Sequence, residues 1–272
     1  MCSEEVLSDQ PAGRGSETVA TRQSILVLED SQTQGNLISK MFVECGADVQ
    51  LVSTAREFSM SPDLFDQKFS AAIIDVHFGE VSGLKLIEPV SRRWPAIVNV
   101  MMTANSTDDY AVLAEARNLG AHLVLKKPFD KVRVSDLLKD IESIQITGRP
   151  RQHVVVIDDS KTSCRIATEV LRSYGYRVSG FQTGEDAIRQ LNFDHVDAVL
   201  TDLNMPGMPG EELICLVRDV WENIGIIAMS ADASNKTRFK EADAFLPKPF
   251  GAEELIHTVG GVLAKDVEVL DC

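Results

Sequence analysis

The chain has 272 residues, 44% hydrophobic and 25% charged, the balance of an ordinary globular protein and long enough for two cores. Its formal net charge of −14 divides evenly about Gly148, with 14 basic and 21 acidic residues before that point and 13 and 20 after it. Neither half has the basic footprint of a nucleic-acid binder, and no apolar run approaches the ~20 residues needed to cross a bilayer. Acids at Glu4 and Glu5 stand where a signal peptide would need basic residues. The five cysteines, Cys2, Cys45, Cys164, Cys215 and Cys272, form no Cys-x-x-Cys pair, which points to reduced thiols in a cytoplasmic protein.

Residues 1–23 mix Ser, Gly, Pro, Glu and Gln without periodicity and read as a flexible tail. From Ser24 short apolar runs (25–28, 49–52, 71–74, 97–102, 122–125) alternate with helix-like stretches (34–45, 83–93, 108–119, 134–144). Such alternation predicts a parallel sheet covered on both faces. Residues 146–152 break the pattern as a linker, and the order then repeats: strands at 154–157, 177–180, 198–200, 224–229 and 244–246, and helices at 162–174, 185–191, 210–220 and 252–263. The expected organisation is one α/β domain over 24–145, a second over 153–264, and a tail over 265–272.

One constellation recurs in both halves. Glu29 and Asp30, Asp75 and Thr103 close the first, third and fourth apolar runs, and Lys127 precedes Pro128; Asp158 and Asp159, Asp202, Ser230 and Lys248-Pro249 repeat the set. Asp75 to Asp202, Thr103 to Ser230 and Trp94 to Trp221 share one offset of 127 (202 − 75, 230 − 103, 221 − 94), so the chain is an internal duplication. In an open parallel sheet ligands sit beyond the carboxyl ends of the strands, where all these residues fall. Three carboxylates at one edge repel unless a cation neutralises them, and Mg2+ suits oxygen ligands in this number. A lysine and a hydroxyl beside them suit a phosphoryl group, with Asp202, in a turn-rich segment, as the nucleophile.

At these residues the sequence resembles the receiver domains of bacterial two-component response regulators. Asp-Asp-Ser (158–160), Asp-Leu-Asn-Met-Pro-Gly-Met-Pro-Gly (202–210), Met-Ser-Ala (229–231) and Phe-Leu-Pro-Lys-Pro-Phe (245–250) carry the resemblance in the second half. Glu-Asp-Ser (29–31), Met-Thr-Ala (102–104) and Lys-Lys-Pro-Phe (126–129) carry it in the first. It implies two tandem flavodoxin-like domains, each a five-stranded parallel sheet. Asp75 and Asp202 would be the phospho-acceptors, Thr103 and Ser230 the switch hydroxyls, and Lys127 and Lys248 the phosphate-binding lysines. Glu29, Asp30, Asp75 and the His77 carbonyl would hold Mg2+ in the first domain; Asp158, Asp159, Asp202 and the Asn204 carbonyl would hold it in the second. The resemblance also implies cis bonds at Lys127-Pro128 and Lys248-Pro249, and a histidine kinase or histidine phosphotransfer protein as phosphoryl donor.

The first copy departs from that pattern at Phe78-Gly79, where the second has Met-Pro, and at Val124, where the second has the aromatic switch residue Phe245. From hydroxyl to lysine the second copy is six residues shorter (248 − 230 against 127 − 103), so its fourth helix is expected to be shortened. Phe245 makes the second domain the expected principal switch, with the first a scaffold, a modulator or the dimerisation surface of a homodimer. A Mg2+-dependent phosphatase of the haloacid-dehalogenase type is the competing reading, but it needs a second carboxylate where His77 and Asn204 stand. With no output segment after Leu263, signalling is expected through protein binding, with no nucleic-acid or membrane partner.

Overall fold

The computed structural model describes residues 22–104, 109–193, 195–221, 223–232 and 241–268. The first half runs β1 (Ser24–Leu28), α1 (Gln32–Glu44), β2 (Asp48–Val52), α2 (Ala55–Met60), α3 (Pro62–Phe65), β3 (Ala71–Asp75), β4 (His77–Phe78), β5 (Val81–Ser82), α4 (Leu84–Arg93), β6 (Val98–Thr103), α5 (Asp109–Asn118), β7 (Leu123–Lys126) and α6 (Lys131–Thr147). The second runs β8 (His153–Ile157), α7 (Lys161–Ser173), β9 (Arg177–Phe181), α8 (Gly184–Phe193), β10 (Ala198–Asp202), α9 (Gly210–Val220), β11 (Gly225–Ser230), β12 (Ala244–Pro247) and α10 (Ala252–Glu268).

The strands form two five-stranded parallel sheets, ordered β2-β1-β3-β6-β7 and β9-β8-β10-β11-β12. This is the flavodoxin-like order, twice. The central strands β3 and β10 are buried along their whole length because helices cover both faces, which is why they read as continuous apolar runs. Each sheet has one apolar cluster per face: Ile74, Phe78, Ile87 and Met101 on one side of the first, Phe42, Ile73, Met102 and Leu138 on the other. Trp94 and Trp221 end α4 and α9, the first buried and the second half-buried.

Helix starts follow local capping chemistry. Ser31 caps α1 through Gln34 N–H, Asp130 caps α6 through Arg133 N–H and Ser160 caps α7 through Ser163 N–H. The α6 helix runs through Ile146 and Thr147, placed in the linker from sequence, and stops where Gly148 takes a left-handed conformation at φ 77°. The α10 helix likewise continues to Glu268, into the expected tail. Two short helices, α2 and α3, occupy a stretch for which the periodicity gave none; six and four residues divided at Ser61-Pro62 are too short to show it. The expected shortening of the second copy's fourth helix concerns residues 233–240, which lie outside the described residues, as do residues 1–21 of the N-terminal segment.

Candidate functional site

The parallel sheets bring each constellation to one edge. In the second half Asp202 is the last residue of β10, Asp158 follows β8, Ser230 ends β11 and Lys248 follows β12. Asp158, Asp202 and Ser230 are buried, whereas Asp159 is exposed. Lys248 Nζ donates to Asp158 Oδ2 at 2.7 Å and to Asp202 Oδ2 at 2.6 Å. The other oxygens of the two acids accept backbone N–H groups: Asp158 Oδ1 from Ser160 at 2.9 Å and Asp202 Oδ1 from Asn204 at 3.1 Å. Burial pulls the Lys248 ammonium down, but hydrogen bonds and charge from the two aspartates outweigh it and hold it above the ordinary lysine value.

The first half repeats this arrangement with one more acceptor. Lys127 Nζ donates to Glu29 Oε2 at 2.7 Å, to Asp75 Oδ2 at 2.5 Å and to Gln34 Oε1 at 3.1 Å. His77 N–H donates to Asp75 Oδ1 at 2.8 Å and Ser31 N–H to Glu29 Oε1 at 3.2 Å. Burial raises the Glu29 carboxyl above its usual range, with Lys127 opposing that and Asp75 adding to it. Both lysines also donate their backbone N–H to the carbonyl of the hydroxyl residue, Lys127 to Thr103 at 2.7 Å and Lys248 to Ser230 at 2.8 Å. Both Lys-Pro peptide bonds are cis.

Behind each acceptor a glycine packs where no side chain fits. A Cβ on Gly83 would lie 1.8 Å from the Asp75 carbonyl oxygen, and one on Gly210 would lie 2.2 Å from that of Asp202. Three residues past each acceptor an apolar side chain plugs the core, Phe78 in the first half and Met205 in the second. In the first half this turn is a hairpin of β4 and β5 with Gly79 at φ 61°, a feature not read from sequence. Val124 and Phe245 occupy equivalent places: β7 sets Val124 beside Met101 and β12 sets Phe245 beside Ala228, each two residues before the hydroxyl residue of the neighbouring strand. Lys126 is half-buried at the end of β7, and Gln34 is a lysine partner that sequence reasoning missed.

The second acid cluster suits a cation. One oxygen each from Asp158, Asp159 and Asp202 lie within 4.8 Å of one another. Ligands ~2.1 Å from an octahedral ion are at most about 4.2 Å apart, so small side-chain rotations would bring all three into range. Among the described residues Glu29, Asp30 and Asp75 are not gathered so closely.

The sequence profile of the response regulator receiver domain matches residues 25–139 and 154–260. Among curated proteins, the two-component response regulator ORR3 of Oryza sativa subsp. indica is 30% identical over 131 residues, 45% of this chain and 99% of that protein. The sensor histidine kinase RcsC of Escherichia coli K12 is 32% identical over 39% of this chain but only 12% of its own length. The hybrid signal transduction histidine kinase D of Dictyostelium discoideum is 26% identical over 171 residues, 59% of this chain and 11% of that protein. The match spans about a tenth of the length of these two kinases. Among solved structures, the chemotaxis response regulator CheY4 of Vibrio cholerae is 27% identical with a TM-score of 0.39, covering 41% of this chain and 98% of that one. A response regulator/GGDEF domain protein covers 92% of this chain and 100% of its own, at 24% identity and a TM-score of 0.40. Nothing among these relatives supports the phosphatase reading. The profile covers most of the chain in two copies, and the chain belongs to the response regulator receiver domain family as a tandem pair.

Proposed function

We propose that both receivers are phosphorylated, on Asp75 and on Asp202, by a phosphohistidine of a histidine kinase or phosphotransfer protein, and that the chain signals through the protein contacts this changes. The observation that carries the reading is the repeated geometry: an aspartate at the end of the central strand, one carboxylate oxygen fixed by a backbone N–H and the other by a lysine. A carboxylate oxygen would attack phosphorus in line as the N–P bond breaks, and the imidazole nitrogen would leave with its proton restored from solvent. The product is an acyl phosphate, whose oxygens Lys127 or Lys248 and the hydroxyl of Thr103 or Ser230 would share.

Glu29, Asp30, Asp75 and the His77 carbonyl would hold Mg2+ in the first receiver, and Asp158, Asp159, Asp202 and the Asn204 carbonyl in the second. The ion would neutralise charge building on the phosphoryl oxygens. No carboxylate stands two residues after either acceptor to activate water, which favours a persistent aspartyl phosphate over rapid hydrolysis. A cytoplasmic location fits this reading, and no helix among the described residues is long and apolar enough to cross a membrane.

Isothermal titration with beryllofluoride and Mg2+, an acyl-phosphate mimic, tests the assignment. Two sites are expected in the wild type, one in Asp75→Ala or Asp202→Ala, and none in the double variant or with EDTA. Undiminished binding in the double variant would sink it.

A further inference from the structure

The two receivers meet through a buried ionic cluster that lies outside both phosphorylation sites. Asp140, on α6, is 1% exposed. Arg151 from the connecting segment donates through Nε to its Oδ1 at 2.7 Å, and Arg177, the first residue of β9 in the second receiver, brings Nε within 3.7 Å of its Oδ2. Arg151 also donates to the Asp136 carbonyl at 2.9 Å, and Ser143 and Thr147 donate their hydroxyls to the Arg149 carbonyl at 2.9 and 3.0 Å. Positions 136, 140, 143 and 147 are spaced i, i+4, i+7, i+11, a single stripe along α6. Val134, Leu138 and Ile141 on another face of the same helix are buried in the first receiver's core. One flank of α6 therefore holds the connecting segment through Arg149 and Arg151, and at Asp140 it reaches Arg177 of the second receiver.

The duplication is broken where the copies meet. By alignment on the lysines, Asp136 and Asp140 of α6 correspond to His257 and Gly261 of α10 (offset 121). By alignment on β1 and β8, Arg177 corresponds to Asp48 (offset 129), which is exposed and pairs with Arg22 at 3.5 Å. The second copy thus lacks the acid stripe and the first lacks the basic strand edge. The contact is heterologous and complementary in one direction only. Beside it a cleft is lined by Arg117, His122 and Val124 of the first receiver and by Pro150, His153 and Arg177. The position that holds the bulky Phe245 in the second copy is, in the first, a small side chain facing this seam.

The segment forming the seam also carries the phosphate lysine. Lys127 bonds Asp75 and Thr103, lies between β7 and α6, and is followed by Asp130, which caps α6. Asp140 lies nine residues along the helix from Lys131, about 14 Å at 1.5 Å per residue. A shift of Lys127 toward a phosphoryl group would pull on the strand and helix whose far halves touch the second receiver. Resting on the phosphorylation reading above, we propose that the first receiver's signalling partner is the second receiver of the same chain, engaged through Asp140, Arg151 and Arg177. The first domain acts on the second.

The test uses the full chain with Asp202→Ala, so that only Asp75 can be loaded, and amide hydrogen exchange with and without beryllofluoride and Mg2+. Loading is expected to protect the Asp75 turn and to change exchange over residues 150–157 and 177–181 by about fivefold or more, the lower end of coupling between linked sites. Adding Asp140→Asn should leave protection at Asp75 and abolish the response in the second receiver; Arg151→Gln supplies the same break from the linker should the first variant not fold. Protection at Asp75 with no change in the second receiver overturns the proposal, as does a response that survives both variants. No protection at Asp75 at all would overturn the phosphorylation reading instead.

Discussion

Replacing Gly210 by alanine perturbs the acceptor without touching a charged group. A Cβ there would lie 2.2 Å from the Asp202 carbonyl oxygen, 2.7 Å from Leu203 Cα and 3.0 Å from the Asp202 carbonyl carbon, all backbone atoms that no rotamer change can move aside. Ordinary contact begins at 3.4 Å, so relief requires about 1.2 Å of backbone displacement (3.4 less 2.2) at the acceptor itself. Misplacing a reacting group by about 1 Å can cost ~10²-fold in rate, and overpacking of this kind costs roughly 1–3 kcal/mol of stability. In an Asp75→Ala background, Gly210→Ala is expected to slow phosphorylation of Asp202 by a small-molecule phosphodonor about 100-fold. Gly251→Ala, where a new Cβ meets nothing within 4 Å, should leave the rate unchanged. Rates followed by mass spectrometry decide it. A Gly210→Ala variant with the parent rate would mean that the turn does not hold the acceptor in place.

Three further expectations follow from the same geometry. Lys248→Ala should cost about 1.5–3 kcal/mol in urea unfolding at neutral pH, since it removes charge-assisted bonds from two buried aspartates. Because the folded pKa of this lysine is raised, its contribution is complete below about pH 10.5 and lost above, so the two unfolding curves should converge at alkaline pH. His122 accepts Asn99 N–H through Nδ1 at 3.1 Å, and desolvation holds its ring below the ordinary imidazole value. The folded state therefore binds fewer protons than the unfolded one, and stability falls as pH drops below about 6.5. His122→Asn should gain on the wild type as the pH is lowered through that range. Finally, in a signalling or partner-binding assay Asp202→Asn is expected to abolish output and Asp75→Asn only to reduce it; the opposite ranking would contradict a second receiver that acts last.

The strand ends were legible in the sequence because a buried parallel strand is an apolar run, and the residue that closes it must face the loops. Asp75, Asp202, Thr103 and Ser230 could be placed at one edge of their sheets on that ground alone. The helices between β2 and β3 were not legible, since Pro62 divides a stretch already too short for a 3.6-residue period. Phe78 was legible only as a departure from Met-Pro; its burial, 2% exposed, comes from the β4–β5 hairpin that turns it into the core. Gln34 lies on the first turn of α1, and only the closed fold brings Lys127 to it. Asp136 and Asp140 gave no signal either: acids on the polar flank of an amphipathic helix read as solvated, yet Asp140 is buried against Arg151 and against Arg177, 37 residues past it (177 − 140) in another sheet, and half-buried Asp136 meets Arg151.

The most direct test of the account is to phosphorylate the chain and find the phosphate. Purified protein would be incubated with phosphoramidate and Mg2+, then reduced with borohydride, which converts an aspartyl phosphate to homoserine, and mapped by peptide mass spectrometry. The account predicts homoserine at positions 75 and 202, none in the Asp75→Ala, Asp202→Ala variant, and none when EDTA replaces Mg2+. Label at serine, threonine or histidine alone, or homoserine at any other aspartate with both acceptors intact and unlabelled, would contradict it.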